Sequence, residues 1–352
     1  MSLFYLKPIF QTIKMQVNDD IAPIAPKVLV IGPGGIKGLM ALGFLTVLDD
    51  HNWLSNINTY CGVSVGAIIS LLLVVGYRPR KIITELLLMD IFKHETFDIH
   101  ALWNHKGLLS NEPVRKKLIE LVKNIFGIVP TLHELYLLTG KSLITTTLNA
   151  TDEICMMFDQ HTQPNISCVD AVMFSMNIPF IFYQLVHQGK IYIDGALANA
   201  YPVDYVDNNN ERILGIYMRT SCQTTPTIKR IIEPIEPNNE ISFVQYAHKM
   251  VQFILDQQRN SVIKHSSDKC MHICLECDII DATGLTVSIQ EKARLIIHGY
   301  NEGRRFIENG YEAPVIQNLK FQYPNIPNET LTEELEIDII AEINNSDNNI
   351  NI

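Results

Sequence analysis

The sequence predicts an α/β fold built around a parallel sheet, because two strand–turn–helix units follow each other near its start. The first runs from the β-branched stretch 27–31 through a glycine-rich loop into a helix that ends near Asp50. The second runs from residues 57–61 through a tight turn into the apolar helix 65–76. Short apolar strands alternating with helices are typical of parallel sheets covered on both faces. Open sheets of this kind bind ligands at the carboxyl ends of their strands.

Composition favours an acidic globular protein without a nucleic-acid partner. The chain has 352 residues, 47% of them hydrophobic, and a net charge of −10, which gives no support for binding a polyanion. No apolar run approaches the ~20 residues that span a bilayer, and no signal-peptide pattern opens the chain. We therefore expect a cytoplasmic location.

Domain boundaries follow from shifts in composition along the chain. Residues 1–26 form a proline-punctuated N-terminal extension, and residues 27–332 form one large domain. Within that domain, residues 27–217 carry the motifs described below, and 218–332 add helices and a strand. Residues 333–352 form an acidic, Asn-rich tail that we expect to be partly disordered.

Apolar periodicity and end signals predict the remaining helices. Ser110 or Asn111 is a suitable N-cap for one of them, and Pro179 stops another. The predicted helices are 77–92, 108–126, 131–138, 168–176, 242–262 and 287–309.

Period-two and β-branched runs predict the remaining strands. Residues 142–149 and 153–158 form one candidate hairpin, and residues 184–186 and 190–193 form another that turns at Gln188-Gly189. Two more strands are predicted at 213–217 and 271–277.

The glycine-rich loop, Gly32-Pro33-Gly34-Gly35-Ile36-Lys37-Gly38, predicts an anion site at the start of a helix. A phosphate-binding P-loop requires Ser or Thr after the lysine, but Gly38 stands there. A dinucleotide fingerprint requires its third glycine at position 37, where Lys37 stands. The remaining candidate anion is the oxyanion of an acyl-transfer intermediate.

The turn Gly62-Val63-Ser64-Val65-Gly66 is a G-x-S-x-G motif, which lifts a nucleophilic serine out of a strand-to-helix turn. Such a serine needs a base. A Ser-His-Asp arrangement could use a downstream histidine, with the candidates His248, His265, His272 and His298. The alternative is direct proton transfer from Ser64 to Asp194.

A metal site is the other chemistry that the residue types suggest. Cys270, His272, Cys274 and Cys277 lie close together in sequence, but the segment has the pattern of a strand. Three of the four side chains would share one face while Cys277 points the other way, and no second Cys/His pair follows at finger spacing. We predict buried strand cysteines, with no metal and no cofactor.

Three elements resemble the motifs of the patatin-like phospholipases, G-G-x-[RK]-G, G-x-S-x-G and D-G-[GA]. They are Gly34–Gly38, Gly62–Gly66 and the triplet Asp194-Gly195-Ala196, which occur in the family's order and at its spacing. The resemblance covers residues 27–204.

The resemblance implies a three-layer α/β/α sandwich with a mostly parallel central sheet. It implies a Ser–Asp dyad in which Ser64 attacks a fatty-acyl ester of a phospholipid or lysophospholipid and Asp194 is the base. The amides of Gly34 and Gly35, with Ile36 as a third candidate, would form the oxyanion hole. The expected partners are an acyl-lipid substrate and a membrane surface contacted peripherally. A Ser-His-Asp esterase or thioesterase, or a non-catalytic lipid-binding module of the same fold, remains the alternative.

Three residues depart from the family pattern, and Asp194 requires a particular environment to act as a base. Pro33 has no N–H to offer, Lys37 replaces the commoner arginine, and Asn177 stands where a small apolar residue is usual. A free aspartate has a pKa near ~3.9 and is a poor base at neutral pH, so Asp194 requires a desolvated pocket. We expect its apolar neighbours to supply it: Ile191, Ile193, Ala196 and Leu197.

Overall fold

The computed structural model describes residues 25–88, 99–220, 243–278 and 287–309, with side chains from Met250 onward in the helix that begins at Phe243. The predicted tail 333–352 and all but the last two residues of the predicted extension 1–26 lie outside the described residues. So do residues 89–92 of the predicted helix 77–92.

The centre of the molecule is a mixed eight-stranded sheet in the order β10-β9-β1-β2-β4-β8-β7, with β5 paired to β4. The strands β10, β9, β1, β2 and β4 run parallel, whereas β5, β7 and β8 are antiparallel additions. Two further strands, β3 and β6, pair with each other alone. The strands are β1 Val28–Ile31, β2 Thr59–Gly62, β3 Gly107–Leu109, β4 Ser142–Asn149, β5 Ile154–Phe158, β6 Phe180–Phe182, β7 Leu185–His187, β8 Lys190–Asp194, β9 Ile213–Thr220 and β10 Cys270–Cys277.

Helices cover both faces of this sheet. They are α1 Gly38–Asp50, α2 Val65–Val75, α3 Pro79–Leu88, α4 Ile99–His105, α5 Glu112–Phe126, α6 Leu132–Thr139, α7 Cys168–Ser175, α8 Val203–Val206, α9 Phe243–His265 and α10 Ile289–Asn309.

The strand alternation of β1 shows why the fold has three layers. Leu29 and Ile31 belong to a large apolar core with α1, α2, α5 and α7. Val28 and Val30 point the other way, into a second core that contains Val203 of α8 and side chains of α9. A fully apolar strand therefore has a buried layer on each side, which confirms the predicted three-layer sandwich.

The predicted helix 108–126 is wrong at its start. Residues Gly107–Leu109 form strand β3, which pairs in parallel with Phe180–Phe182, and the helix begins only at Glu112. A Cβ on Gly107 would lie 2.0 Å from the carbonyl oxygen of Phe182, so the two backbones approach too closely for another residue. Neither strand was predicted, because three residues are too few to show a period.

Both predicted hairpins are present. Strands β4 and β5 pair antiparallel, and β7 and β8 turn at Gln188 and Gly189, which both have positive φ, 50° and 76°. That conformation is typical of the type I′ turn of two-residue hairpins. The second hairpin brings Asp194 to the end of β8, beside β4.

The C-terminal elements complete the same sheet and core. Strand β10 pairs with β9 along its whole length, and α10 packs on α1. The crossing of these two helices is close, since a Cβ on Gly299 would lie 1.9 Å from the carbonyl oxygen of Met40. Among the described helices, none combines the length and apolar character that a bilayer crossing requires.

Candidate active site

Strand register brings the three sequence motifs to one edge of the sheet. Ile31 of β1 is paired with Gly62 of β2, so the glycine loop and the serine turn leave neighbouring strands at the same level. Gly62 is paired with Thr145 of β4, and two residues further along β4, Thr147 is paired with Asp194. Ser64 stands two residues beyond Gly62 and therefore reaches the same level as Asp194.

Ser64 has the strained backbone of a nucleophile turn, with φ 57° and ψ −124°. The two glycines around it allow strand and helix to meet. A Cβ on Gly62 would lie 2.3 Å from the carbonyl oxygen of Gly66, and a Cβ on Gly66 would lie 2.1 Å from that of Ile31. The Ser64 N–H donates to the hydroxyl oxygen of Ser175 at 3.1 Å, which fixes the turn from the side of α7.

Asp194 is buried, with 3% of its surface exposed. Its carboxylate accepts a hydrogen bond from the N–H of Ala196 at 2.8 Å. Burial raises the pKa of Asp194 to about 6, although the Ala196 N–H and the nearby Ser64 hydroxyl act to lower it. The Ser64 hydroxyl is therefore close enough to the Asp194 carboxylate to interact with it.

The apolar surroundings of Asp194 differ in part from those predicted. Ile191 and Ile193 alternate with Asp194 along β8 and so lie on the opposite face of the strand. A small cluster formed by Val63, Ala196 and Ala200, with Leu255 of α9 packed on it, adjoins the dyad instead. The prediction from sequence neighbours missed Leu255 because contact with α9 is long-range.

The glycine loop packs against the first turn of the helix that follows Ser64. A Cβ on Gly38 would lie 2.7 Å from a methyl carbon of Val65. Within the loop, the N–H of Lys37 donates to the carbonyl of Gly34 at 3.1 Å, and the N–H of Gly38 donates to the carbonyls of Gly35 and Ile36. The internal hydrogen bonds therefore use the amides of Lys37 and Gly38, while Gly34, Gly35 and Ile36 lie half-buried at the edge of the sheet.

Lys37 points inward from this loop. The side chain is buried, and its ammonium group donates to the hydroxyl of Thr220 at the end of β9, at 2.8 Å. Burial lowers the pKa of Lys37, and Cys277 and Asp256 act in the opposite direction. In the structure Lys37 thus ties the glycine loop to β9.

Sequence reasoning did not assign a role to the residues that position Asp194. The carbonyl of Asn177 accepts the N–H of Asp194 at 2.9 Å, and its side-chain amide donates to the carbonyl of Tyr192 at 3.0 Å. The amide of Asn111 in turn donates to Asn177 at 3.3 Å, and Thr147 donates to the carbonyl of Ile193 at 3.1 Å. The sequence did contain a signal for this role, because Asn177 departs from the family pattern and a buried amide needs hydrogen-bond partners.

The histidine candidates lie away from Ser64 where the structure describes them. His265 ends α9 at the amino edge of the sheet, and His298 lies in α10. His272 lies on β10, three strands from β2, between the hydroxyls of Tyr201 at 3.0 Å and Ser266 at 2.8 Å. The side chain of His248 lies outside the described residues. The described part of the chain brings together no group of three or more His, Cys, Asp or Glu side chains suited to a metal ion.

The strained backbone of Ser64 predicts a stability difference between two variants at this position. A non-glycine residue held in such a region costs roughly 1–3 kcal/mol, and glycine is free of this cost. We expect Ser64→Gly to exceed Ser64→Ala in free energy of unfolding by about 1 kcal/mol in urea titrations. Ser55→Gly, in a short 3₁₀ turn without positive φ, should instead destabilise. Equal stabilities of the two Ser64 variants would contradict the strain.

Because the pKa of Asp194 is raised, replacing this residue with a neutral one should stabilise the fold at neutral pH but not at low pH. The folded protein holds this proton up to about pH 6, whereas an unfolded chain releases it near ~3.9. The resulting stabilisation is present below pH ~4 and lost as pH rises through 6, a cost of roughly 3 kcal/mol for a shift of ~2 units. Asp194→Asn should therefore raise the melting temperature at pH 7.5 and leave it nearly unchanged at pH 4. A gain of the same size at both values would contradict the shift.

Comparison with known proteins agrees with this geometry. The family model for patatin-like phospholipases matches residues 29–207, which include all three motifs. A probable lipid hydrolase of Invertebrate iridescent virus 6 is 32% identical over 196 residues, covering 53% of this chain and 64% of the relative. An uncharacterized protein of Acanthamoeba polyphaga mimivirus is 26% identical over 248 residues, covering 69% of this chain and 80% of the relative.

Solved structures resemble the chain more distantly. VipD from Legionella pneumophila aligns with 81% of this chain and 67% of its own at 14% identity, with a TM-score of 0.48. ExoU from Pseudomonas aeruginosa, in its complex with SpcU, aligns with 81% of this chain and 52% of its own at 15% identity and a TM-score of 0.46. Likeness at this level carries no inference about activity. The family match spans half of the chain, and the chain belongs to the patatin-like phospholipase family.

Proposed function

We propose that the protein is a serine lipid acyl hydrolase that cleaves fatty-acyl esters of phospholipids or lysophospholipids through Ser64 and Asp194. The observation that carries the proposal is that buried Asp194 lies at the level of Ser64 at the sheet edge, in a setting that raises the pKa of Asp194 to about 6. A base works best when its pKa lies near the working pH, and an ordinary aspartate near ~3.9 is too weak.

The reaction follows from this geometry. Asp194 takes the proton of the Ser64 hydroxyl while its oxygen attacks the ester carbonyl. The negative charge that develops on the carbonyl oxygen is stabilised by the amides of Gly34 and Gly35, with Ile36 as a third donor. Removing one such donor typically costs ~3 kcal/mol in the transition state. Asp194 then protonates the departing lysolipid oxygen, and water, activated by the same carboxylate, releases the fatty acid from Ser64.

Substrate class is supported by the kinship of the chain. The family carries phospholipase in its description, and the iridescent-virus relative is described as a probable lipid hydrolase. The buried apolar cluster of Val63, Ala196 and Ala200, with Leu255 packed on it, makes the surroundings of the dyad apolar. A lipid substrate also requires peripheral contact with a membrane, and nothing in the net charge of −10 favours nucleic acid.

The two alternative functions make different demands on the residues of the site. A Ser-His-Asp esterase needs an imidazole beside Ser64, and His265, His272 and His298 lie elsewhere in the fold. Burial also lowers the pKa of His272 to about 4, with Asp207 acting in the opposite direction, and a base with so low a pKa is weak. A non-catalytic lipid-binding module would be free to lose the nucleophile or the aspartate, and this chain keeps both.

Substitution of the dyad is the direct test. Ser64→Ala and Asp194→Asn should each reduce release of fatty acid from phosphatidylcholine or its lysolipid by at least ~10³-fold, because each removes a reacting group. Ser64→Ala should also abolish labelling by a fluorophosphonate. Ser55→Ala and Asp152→Asn, which change exposed or half-buried groups away from the site, serve as matched controls and should retain activity. Retained hydrolysis in either dyad variant would refute the mechanism, and loss on substitution of one histidine would favour the triad.

The pKa of Asp194 sets the expected acid limb of the activity. Only the ionised carboxylate can accept the serine proton, so kcat/KM should rise tenfold per pH unit below about 6 and level off above pH 7. The measurement is hydrolysis of a soluble short-chain ester between pH 4.5 and 8.5, with substrate stability checked in parallel. An acid limb near pH 4 would show that Asp194 is not desolvated in the working enzyme.

A further inference from the structure

Helix α9 carries a run of exposed apolar side chains beside the proposed active site. Met250, Val251, Phe253 and Ile254 are all exposed, and Phe253 most of all, at 60%. We call these four residues the α9 ridge. Four exposed apolar residues within one and a half turns of a helix form a patch that calls for an explanation, since scattered single ones are normal on any surface.

The α9 ridge adjoins the dyad directly. Leu255, the next residue along α9, packs on the cluster that contains Val63 and Ala196. Val63 directly precedes Ser64, and Ala196 follows Asp194 by two positions. A helix rises 1.5 Å per residue, so the ridge begins within roughly 8 Å of that contact along the axis. The ridge therefore lies directly before a residue that packs beside the dyad.

The same helix changes from packed to exposed within one turn. Gln258 anchors α9 by bonds to the carbonyl of Leu197 at 3.1 Å and the N–H of Ala200 at 3.3 Å. Val251 lies one turn before Leu255, on the same helical face, yet it is exposed. This face of α9 is therefore packed at Leu255 and open to solvent at Val251.

A second apolar feature lies on the other side of Asp194. Phe180 is 69% exposed and lies three residues after Asn177, whose carbonyl oxygen accepts the N–H of Asp194. It is paired with Gly107, and Trp103, 75% exposed, lies in α4 four residues before Gly107. Tryptophan is enriched where a protein meets the headgroup region of a bilayer.

Charge is absent from the α9 ridge itself. No charged residue occurs between Met250 and Leu255. The basic cluster at the start of α3 lies at the opposite end of α2 from Ser64, where Arg78 pairs with Asp49 at 2.8 Å and Arg80 with Asp50 at 2.7 Å. A net charge of −10 and a ridge without charged residues do not favour attraction to an anionic surface.

We propose that the α9 ridge, with Trp103 and Phe180, docks the protein on a zwitterionic lipid bilayer and so aligns the entrance to Ser64 with the acyl chains. Docking is driven by insertion of apolar side chains, and charge contributes little. The choice of a bilayer as the occupant rests on the proposed function, because the uncharged apolar ridge lies beside a proposed site for lipid esters.

Vesicle binding tests this surface without hydrolysis. The full chain carrying Ser64→Ala, which leaves the lipid intact, is floated with phosphatidylcholine vesicles in 0.1 M and 0.5 M NaCl. We expect binding that changes less than twofold with salt. Adding Phe253→Gln and Ile254→Gln should lower the partition coefficient at least tenfold. Adding Leu137→Gln and Leu138→Gln instead, two exposed leucines near the end of α6 at the opposite edge of the sheet, should not change it.

Fluorescence gives a second readout on the other side of the site. The chain has two tryptophans, so Trp53→Phe leaves Trp103 as the single reporter. Its emission should shift to shorter wavelength on adding vesicles, and the shift should disappear in the Phe253→Gln/Ile254→Gln variant. Unchanged vesicle binding by that variant, equal loss in the α6 control, or binding confined to anionic vesicles and removed by salt would each overturn the proposal. So would a change from dimer to monomer in sedimentation velocity with vesicle binding intact, which would make the ridge an interface between copies.

An activity measurement separates this proposal from the proposed function. With Ser64 present, Phe253→Gln/Ile254→Gln should reduce hydrolysis of phosphatidylcholine vesicles at least tenfold and change hydrolysis of a soluble butyrate ester less than twofold. If the unmutated protein hydrolyses neither substrate, the proposed function fails, while the binding experiment still decides the surface. If both substrates are lost equally in the variant, the ridge is part of the site and the docking proposal fails.

Discussion

The contact between Gly66 and the carbonyl oxygen of Ile31 is the constraint on which the site depends. The helix α2 begins directly against the end of β1, at a distance that leaves no room for a Cβ. This approach places the serine turn beside the loop that leaves the same strand, and it imposes the positive φ of Ser64. One close backbone contact therefore sets the nucleophile next to the amides that we assign to the oxyanion, before any side chain is considered.

Burial of Asp194 has two opposite consequences that the surrounding polar groups reconcile. A desolvated carboxylate is a stronger base, but it also favours the protonated state and weakens the fold at neutral pH. The Ala196 N–H and the nearby Ser64 hydroxyl moderate the shift, and Asn177 holds the backbone of Asp194 in place. Because Asn177 is itself buried, it needs Asn111 and Tyr192 as partners, and the polar network extends from the site to the start of α5.

The sequence allowed prediction of those features that depend on local pattern. The two strand–turn–helix units, both hairpins and the Ser64 turn have short-range signatures in glycine placement and apolar period, and the structure contains all of them. The features that it did not predict depend on distant contacts. The pair β3–β6 joins segments some seventy residues apart and has only three residues in each strand. Likewise, Leu255 reaches the site from α9, which is distant in sequence. The prediction that Ile191 and Ile193 surround Asp194 was wrong, because strand residues at odd spacing point to opposite faces.

The order in which the site is assembled also limits when it can act. Ser64 and Asp194 stand 130 positions apart, and Asp194 arrives on an antiparallel strand that can pair only after β4 is in place. A nascent chain that has exposed only the first two strand–turn–helix units on the ribosome holds a strained serine without a base. On the proposed mechanism, the chain can therefore cleave lipids only late in synthesis, once β8 has paired with β4. Shorter translation products lack the base and leave the membranes around them intact.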